Sequence, residues 1–417
     1  MEISEKRDPY SSLRIGDFRL FLSFRFLMTV ALQMQMTVIS WKVYAMTGDK
    51  LSLGLIGLAE AIPYLILALF GGHIADLFNR KKIIVWSLIV LIIGSVSLFI
   101  FTLPGVAVLE NFGVLPIYAN IVLLGIVRGF VAPAQNAFFG QILPRAEFTN
   151  GATWNSNVWQ FAAVAGPAIG GLVYGIVNIE TALGSVVVLL ILSLFLTLMI
   201  KTNGQPEPRE REPLAASLTT GLRFVFKHQI ILGALSLDLF AVLFGGAMAM
   251  IPAFAVVLGV GPEGAGFMRA APFFGSVISG IILAYKPPVR SSGRKLLLAV
   301  TGFGLATIAF ALSKDFYLSL FFLFIAGAFD NVSVVIRHTI IQLMTPDEMR
   351  GRVSSVNGIF IGSSNEIGAF ESGMAASIMG LVPSVIFGGC MTLVVVSIAY
   401  LKAPLLRKFS ISKMEKS

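Results

Sequence analysis

Long apolar runs, each near or above twenty residues, follow one another along the chain. They lie near 18–46, 51–75, 83–104, 114–141, 152–177, 180–200, 230–258, 264–285, 295–313, 316–344, 352–380 and 382–404. A helix of about 20 apolar residues crosses a hydrocarbon core ~30 Å thick, and no soluble core needs so many such segments. The pattern predicts an all-α integral membrane protein with about twelve transmembrane helices.

The polar interruptions divide that series in two. Asn203-Gly204-Gln205-Pro206-Glu207-Pro208-Arg209-Glu210-Arg211-Glu212-Pro213 is polar, proline-rich and mixed in charge, which is linker composition. The expected organisation is a six-helix half over 1–201, a linker over 202–228 and a second six-helix half over 229–417, with an amphipathic surface helix over 214–227. The halves share punctuation. Shifting the first by 202 positions lays Gly125 on Gly327, Pro144 on Pro346, Asn155 on Asn357, Gly166 on Gly368 and Gly171 on Gly373. These are residues whose backbone roles are hard to substitute. A duplicated, pseudo-symmetric design implies a site between the halves near mid-membrane, opened to alternate sides by rocking.

Composition agrees with the pattern: 56% of residues are hydrophobic and 13% charged, against about a quarter charged in soluble domains. The net charge of +9 raises the question of nucleic acid, and its placement answers it. With the N-terminus in the cytoplasm, that side receives Lys6, Arg7, Arg14 and Arg19, then Arg80, Lys81, Lys82 and Arg145. It also receives Lys201, Arg209, Arg211, Arg223, Lys227, Lys286, Arg290, Arg294 and Lys295, and finally Arg350, Arg352, Lys402, Arg407, Lys408, Lys413 and Lys416. The other side receives little beyond Lys50, Arg269 and Lys314. This asymmetry sets orientation, with both termini cytoplasmic, and brings contact with anionic membrane lipid. No nucleic-acid partner is expected. Residues 1–19 are charged and polar, so no cleavable signal peptide is expected. The longest hydrophilic stretch, 201–227, is too short for a soluble catalytic domain. The single cysteine, Cys390, excludes an intramolecular disulfide. There is no P-loop and no metal-ligand cluster. The chain is expected not to be an enzyme and to need no metal or cofactor.

Three motifs carry candidate chemistry. Gly72, Asp76, Arg80, Lys81 and Lys82 lie in a basic, glycine-opened turn between the second and third spans. Asp76 falls at the C-terminal end of the second helix, where the helix dipole disfavours an anion, so it calls for nearby cations. Gly166-Pro167-Ala168-Ile169-Gly170-Gly171 sits inside the fifth span, where proline kinks and glycine permits close approach. Leu123-Leu124-Gly125-Ile126-Val127-Arg128-Gly129 puts Arg128 near mid-depth of the fourth span, which is costly unless the guanidinium is paired or hydrated. The first stretch resembles the loop between helices two and three of the major facilitator superfamily, with Leu77 in place of the usual Arg and Asn79 in place of the usual Gly. The second is similar to that superfamily's exporter motif and the third to its fourth-helix motif. Pro346-Asp347-Glu348-Met349-Arg350-Gly351-Arg352-Val353 and Ser364-Asn365-Glu366-Ile367-Gly368 resemble its enterobactin exporter and macrolide efflux branch, the third drug:proton antiporter group. The resemblance implies a secondary transporter working in the outward direction, with Gly72, Asp76, Arg80 and Lys81 as a cytoplasmic latch.

Charges at membrane depth complete the inventory. Glu60, Asp330 and Glu366 are proton-coupling candidates, since desolvation of a carboxyl suits it to reversible protonation. Arg128 is a mid-membrane charge partner, with Glu60 at comparable depth. Arg25, Gln33, Gln135, Asn136, Asn155 and Asp238 are cavity-lining candidates. His338, beside Arg337, is expected to snorkel. The expected function is export of a small amphiphilic organic compound (drug, macrolide or siderophore-like) across a bacterial cytoplasmic membrane, by a monomer driven by proton antiport. A lipid or lysophospholipid flippase on the same fold and a transport-silent receptor or scaffold are the alternatives.

Overall fold

The structure, a computed structural model, describes residues 8–206, 214–288, 291–346 and 349–411. Lys6, Arg7, Arg209, Arg211, Arg290, Lys413 and Lys416 of the basic inventory, residues 207–213 of the predicted linker, and Asp347 and Glu348 lie outside the described residues.

The described regular structure is helical. The first half comprises α1 Gly16–Thr47, α2 Lys50–Leu77, α3 Arg80–Thr102, α4 Leu115–Ile142, α5 Phe148–Ile176 and α6 Ile179–Met199. A surface helix follows, α7 Leu214–Lys227. The second half comprises α8 Gln229–Phe244 and its continuation α9 Ile251–Val257, then α10 Pro262–Tyr285, α11 Ser292–Leu312, α12 Phe316–Met344, α13 Arg350–Met379 and α14 Leu381–Lys402. Among the described residues, eleven segments are long and apolar enough to cross a membrane. The twelfth long helix, α13, spans 30 residues but carries Arg350, Arg352, Asn357, Asn365, Glu366 and Glu371. Its polarity, not its length, sets it apart.

Two expectations change. The seventh span is not one helix: α8 and α9 are separated at Gly245-Gly246, and Pro252 opens the second piece. The turn expected over 71–82 shrinks to Phe78 and Asn79, because Gly72 and Asp76 are still helical. Asn79 caps α3, its side-chain oxygen accepting from the Lys82 amide at 3.0 Å. A capping side chain stands where relatives of the motif carry Gly.

The shift of 202 reappears in helix ends. Ile142 corresponds to Met344, Phe148 to Arg350 and Ile179 to Leu381, each pair 202 apart. Contacts repeat as well. A Cβ on Gly166 would meet the Val30 carbonyl of α1 at 2.9 Å and Gln33 Cβ at 2.6 Å. A Cβ on Gly368 would meet the Leu243 and Val242 carbonyls of α8 at 2.8 and 3.0 Å. Both halves seat a helix against a backbone where only glycine fits.

The chain divides into two compact units: residues 1–38 with 66–209, and residues 39–65 with 210–417. In the first, an aromatic core joins α1 to α4: Phe21 meets Phe24 edge-on at 5.1 Å and Phe138 at 6.3 Å, all three fully buried. Asp17 ties the start of α1 to the chain leaving α6, accepting from the Lys201 amide at 3.2 Å and the Thr202 amide at 2.7 Å. In the second, Leu237, Ile336, Ile340 and Leu406 form a core joining α8, α12 and the chain after α14. Val225 of α7 is buried with Val353 and Val356 of α13, while Leu222 and Phe226 stay exposed.

Candidate functional site

The second unit holds the densest set of charges at membrane depth. Gly57 of α2 abuts α13: a Cβ there would meet the Glu366 carbonyl at 3.0 Å. One turn on, Glu60 is 5% exposed. Arg269 of α10 lies within electrostatic range of both Glu60 and Glu366. Its Nε is buried without a hydrogen-bond partner among the described residues. Counted along the helices at ~1.5 Å per residue, Glu60 lies about 15 Å from Lys50, Arg269 about 10 Å from Pro262 and Glu366 about 20 Å from Met379. All three lie well inside their helices, two or more turns from the ends. Two carboxylates facing one guanidinium leave one excess negative charge, which a single proton cancels.

The charge pattern of the sequence places Arg269 among the sparse charges of the non-cytoplasmic side. The structure places it inside the span instead, because α10 starts at Pro262, seven residues earlier. That register was the available signal: an Arg two turns inside an apolar helix is not a loop residue.

Asp238, expected on a cavity wall, is instead 8% exposed and ion-paired with Arg337, itself 2% exposed. Asp238 is nine residues from the start of α8 and Arg337 seven from the end of α12, so the two meet at similar depth, about 10–14 Å along their helices. Asp330 on α12 is partly buried and makes no side-chain hydrogen bond or ion pair to any described residue. His338 is exposed.

In the first unit the polar candidates scatter. Arg25 sits about 14 Å along α1, and its Nη1 is buried without a hydrogen-bond partner among the described residues. Gln33 lies at the α1–α5 crossing beside Gly166. Gln135 is buried and donates to the Met28 sulfur at 3.4 Å. Asn136 is exposed, and the Asn155 side-chain oxygen is buried without a partner. Arg128 is partly buried on α4. Trp154 donates to the Pro9 carbonyl at 3.0 Å and its ring packs on Tyr10.

The basic corner between α2 and α3 is ordered in detail. Arg80 bridges Asp76 at 3.7 Å and donates to the Ala75 carbonyl at 3.1 Å and the Ala137 carbonyl at 3.4 Å. Lys81 turns to the end of α6, donating to the Leu198 and Ile200 carbonyls at 3.0 and 2.5 Å. The Arg80 amide donates to the Gly204 carbonyl at 2.7 Å.

Long apolar helices repeat in two halves, and ionisable side chains are buried among the helices of the second unit. Over residues 21–369 the chain matches the Major Facilitator Superfamily. The chain belongs to that superfamily. Among curated proteins it is similar to the enterobactin exporter EntS of Shigella dysenteriae serotype 1 (strain Sd197), 25% identical over 397 residues, 92% of this chain and 93% of that one. EntS of Escherichia coli O81 (strain ED1a) is also 25% identical, over 94% of this chain and 93% of its own. Among solved structures it shares its fold with a bacterial homologue of the human lysosomal transporter Spinster (TM-score 0.67, 17% identity, 98% of each chain). The nucleoside transporter NupG matches at TM-score 0.74 and 13% identity, over 93% of this chain and 99% of that one. The protein is therefore a membrane transporter of the Major Facilitator Superfamily.

Proposed function

We propose that this transporter exports a small amphiphilic organic compound, siderophore-like or drug-like, by proton antiport with alternating access. The observation that carries the reading is the Arg269 cluster, with Glu60 and Glu366 acting on one guanidinium well inside the helices. A proton taken by either carboxyl makes the set neutral, and its release restores a charge that Arg269 holds. Asp330 is a third carboxyl available for protonation. Arg25, with its unpartnered Nη1, offers an anchor for an acidic or hydrogen-bond-accepting group on the substrate. The motif at Gly166 and the similarity to enterobactin exporters support outward direction and a siderophore-like substrate. The basic asymmetry supports a bacterial inner membrane with both termini cytoplasmic, and Gly72, Asp76, Arg80 and Lys81 as a latch on that side. It works as a monomer among membrane lipids, with the proton gradient as its energy source.

The test is proton flux in proteoliposomes holding the purified protein and an interior pH dye, challenged with siderophores, macrolides, cationic dyes and lysolipids. Substrate-evoked proton movement that is lost in Glu60→Gln or Glu366→Gln is expected. Substrate movement without a pH signal would overturn the antiport and favour a flippase.

A further inference from the structure

Arg80, Lys81 and Lys82 are consecutive, yet their charges have different fates. Arg80 is spent on Asp76 and two carbonyls, and Lys81 on the end of α6. Lys82 is exposed, and its ammonium makes no hydrogen bond or ion pair to any described residue. It stands at the rim of an open groove of about 750 Å³ among α2, α3 and α4, within the first unit. Such a volume is in the range of small-ligand sites, ~300–1,000 Å³. The walls are apolar, built by Ile74, Leu77, Val90, Ile126 and Phe130, while Lys82, Asn79 and Gln205 contribute polar groups. Trp86, two-thirds exposed, lines the same groove one turn from Lys82. Trp at that level is the side chain favoured at headgroup depth.

An open, apolar groove whose lining holds one unspent cation, Lys82, has the chemistry of a lipid site. We propose that this groove binds one anionic phospholipid of the adjoining leaflet, with the acyl chain along α3 and α4 and the phosphate on Lys82. Charge complementarity selects the occupant: a zwitterionic lipid brings its own cation to the phosphate, and an anionic one leaves its charge for the lysine. Because the Gln205 side of the groove is fixed by the Gln141 amide, which donates to the Gln205 carbonyl at 2.6 Å, the bound headgroup also touches the start of the linker. The leaflet is cytoplasmic under the orientation proposed above. Binding is read without transport, so this inference and that reading fail separately.

The experiment uses Trp86 as reporter in the full chain, with Trp41, Trp154 and Trp159 replaced by Phe. The protein is reconstituted in vesicles containing brominated phosphatidylglycerol or brominated phosphatidylcholine, and quenching is compared at equal mole fraction. The expected result is about fivefold preference for phosphatidylglycerol, the scale of one lysine at an anionic headgroup, and its loss in Lys82→Gln. Native mass spectrometry of the otherwise unaltered protein and Lys82→Gln supplies a second readout, retained phosphatidylglycerol falling by the same factor. Equal quenching by the two lipids, or a preference that survives Lys82→Gln, overturns the proposal.

Discussion

Two acid–arginine pairs, one in each unit, stand in opposite physical settings. Asp76 and Arg80 are four residues apart on neighbouring helix ends, 3.7 Å from each other, with the aspartate side chain about half exposed. Asp238 and Arg337 are 99 residues apart in sequence and closed off together in the interior of the second unit. An exposed pair is screened by water and contributes roughly 0–1 kcal/mol. A buried pair is expensive to assemble and more expensive to break, since a lone charge left behind costs about 3–5 kcal/mol. The first pair is suited to opening and closing, the second to staying closed.

The sharpest way to break this contrast is to remove one member of the buried pair. Asp238→Ala should destabilise the protein by about 3–5 kcal/mol, read as the loss of thermal stability in detergent. Replacing both partners, Asp238→Leu with Arg337→Met, should recover most of that loss, because no charge remains unpaired. A double variant as unstable as the single would show that the pair acts through packing and not through charge.

The next effect tests the glycine crossings, where the two units are alike. Gly166→Val puts a side chain against the Val30 carbonyl and Gly368→Val puts one against the Leu243 carbonyl. Each should cost about 1–3 kcal/mol by overpacking. Comparable losses in thermal stability would confirm that the 202-residue repeat is a repeat of contacts. A loss at one site alone would limit the symmetry to helix ends.

What could be read in advance follows the same division. The helices were legible because a membrane demands apolar length, and length is local. Asp76, Arg80 and Gly166 were legible because their partners lie within a few residues or because the backbone restricts the residue type. Arg269 and Arg337 were not, since their partners come from distant helices: Arg337 looked like a neighbour of His338, and Asp238 like a cavity residue. Depth counted from helix ends would have matched Asp238 with Arg337, but several charges share that depth and only packing selects the pair. The break at Gly245-Gly246 was equally hidden, because the apolar run continues through it.

A smaller effect is expected at Lys81, whose ammonium caps two carbonyls at the end of α6. Lys81→Met should cost about 1 kcal/mol, the net value of a hydrogen bond to a charged donor lying near 1.5–3 kcal/mol and part of it being recovered by water at an exposed site. Hydrogen exchange of the Leu198–Ile200 segment is the measurement, with faster exchange confined to that end of α6 expected. An unchanged segment would show that the lysine serves something other than that helix end.

The smallest stability effect belongs to the exposed pair, and it is the most informative about function. Asp76→Asn keeps the shape of the side chain and removes its charge. At about half exposure the pair stabilises the fold by less than about 1 kcal/mol, so thermal unfolding should shift little. If Asp76 is part of a latch, transport should nevertheless change by far more than stability, because a latch biases one conformation against another and an equilibrium moves about fivefold for each 1 kcal/mol. Substrate flux falling severalfold in Asp76→Asn, with the unfolding temperature nearly constant, would separate the two pairs by role. Flux that changes only in step with stability would leave Asp76 as a surface charge and remove the distinction between a pair that holds the fold and a pair that switches it.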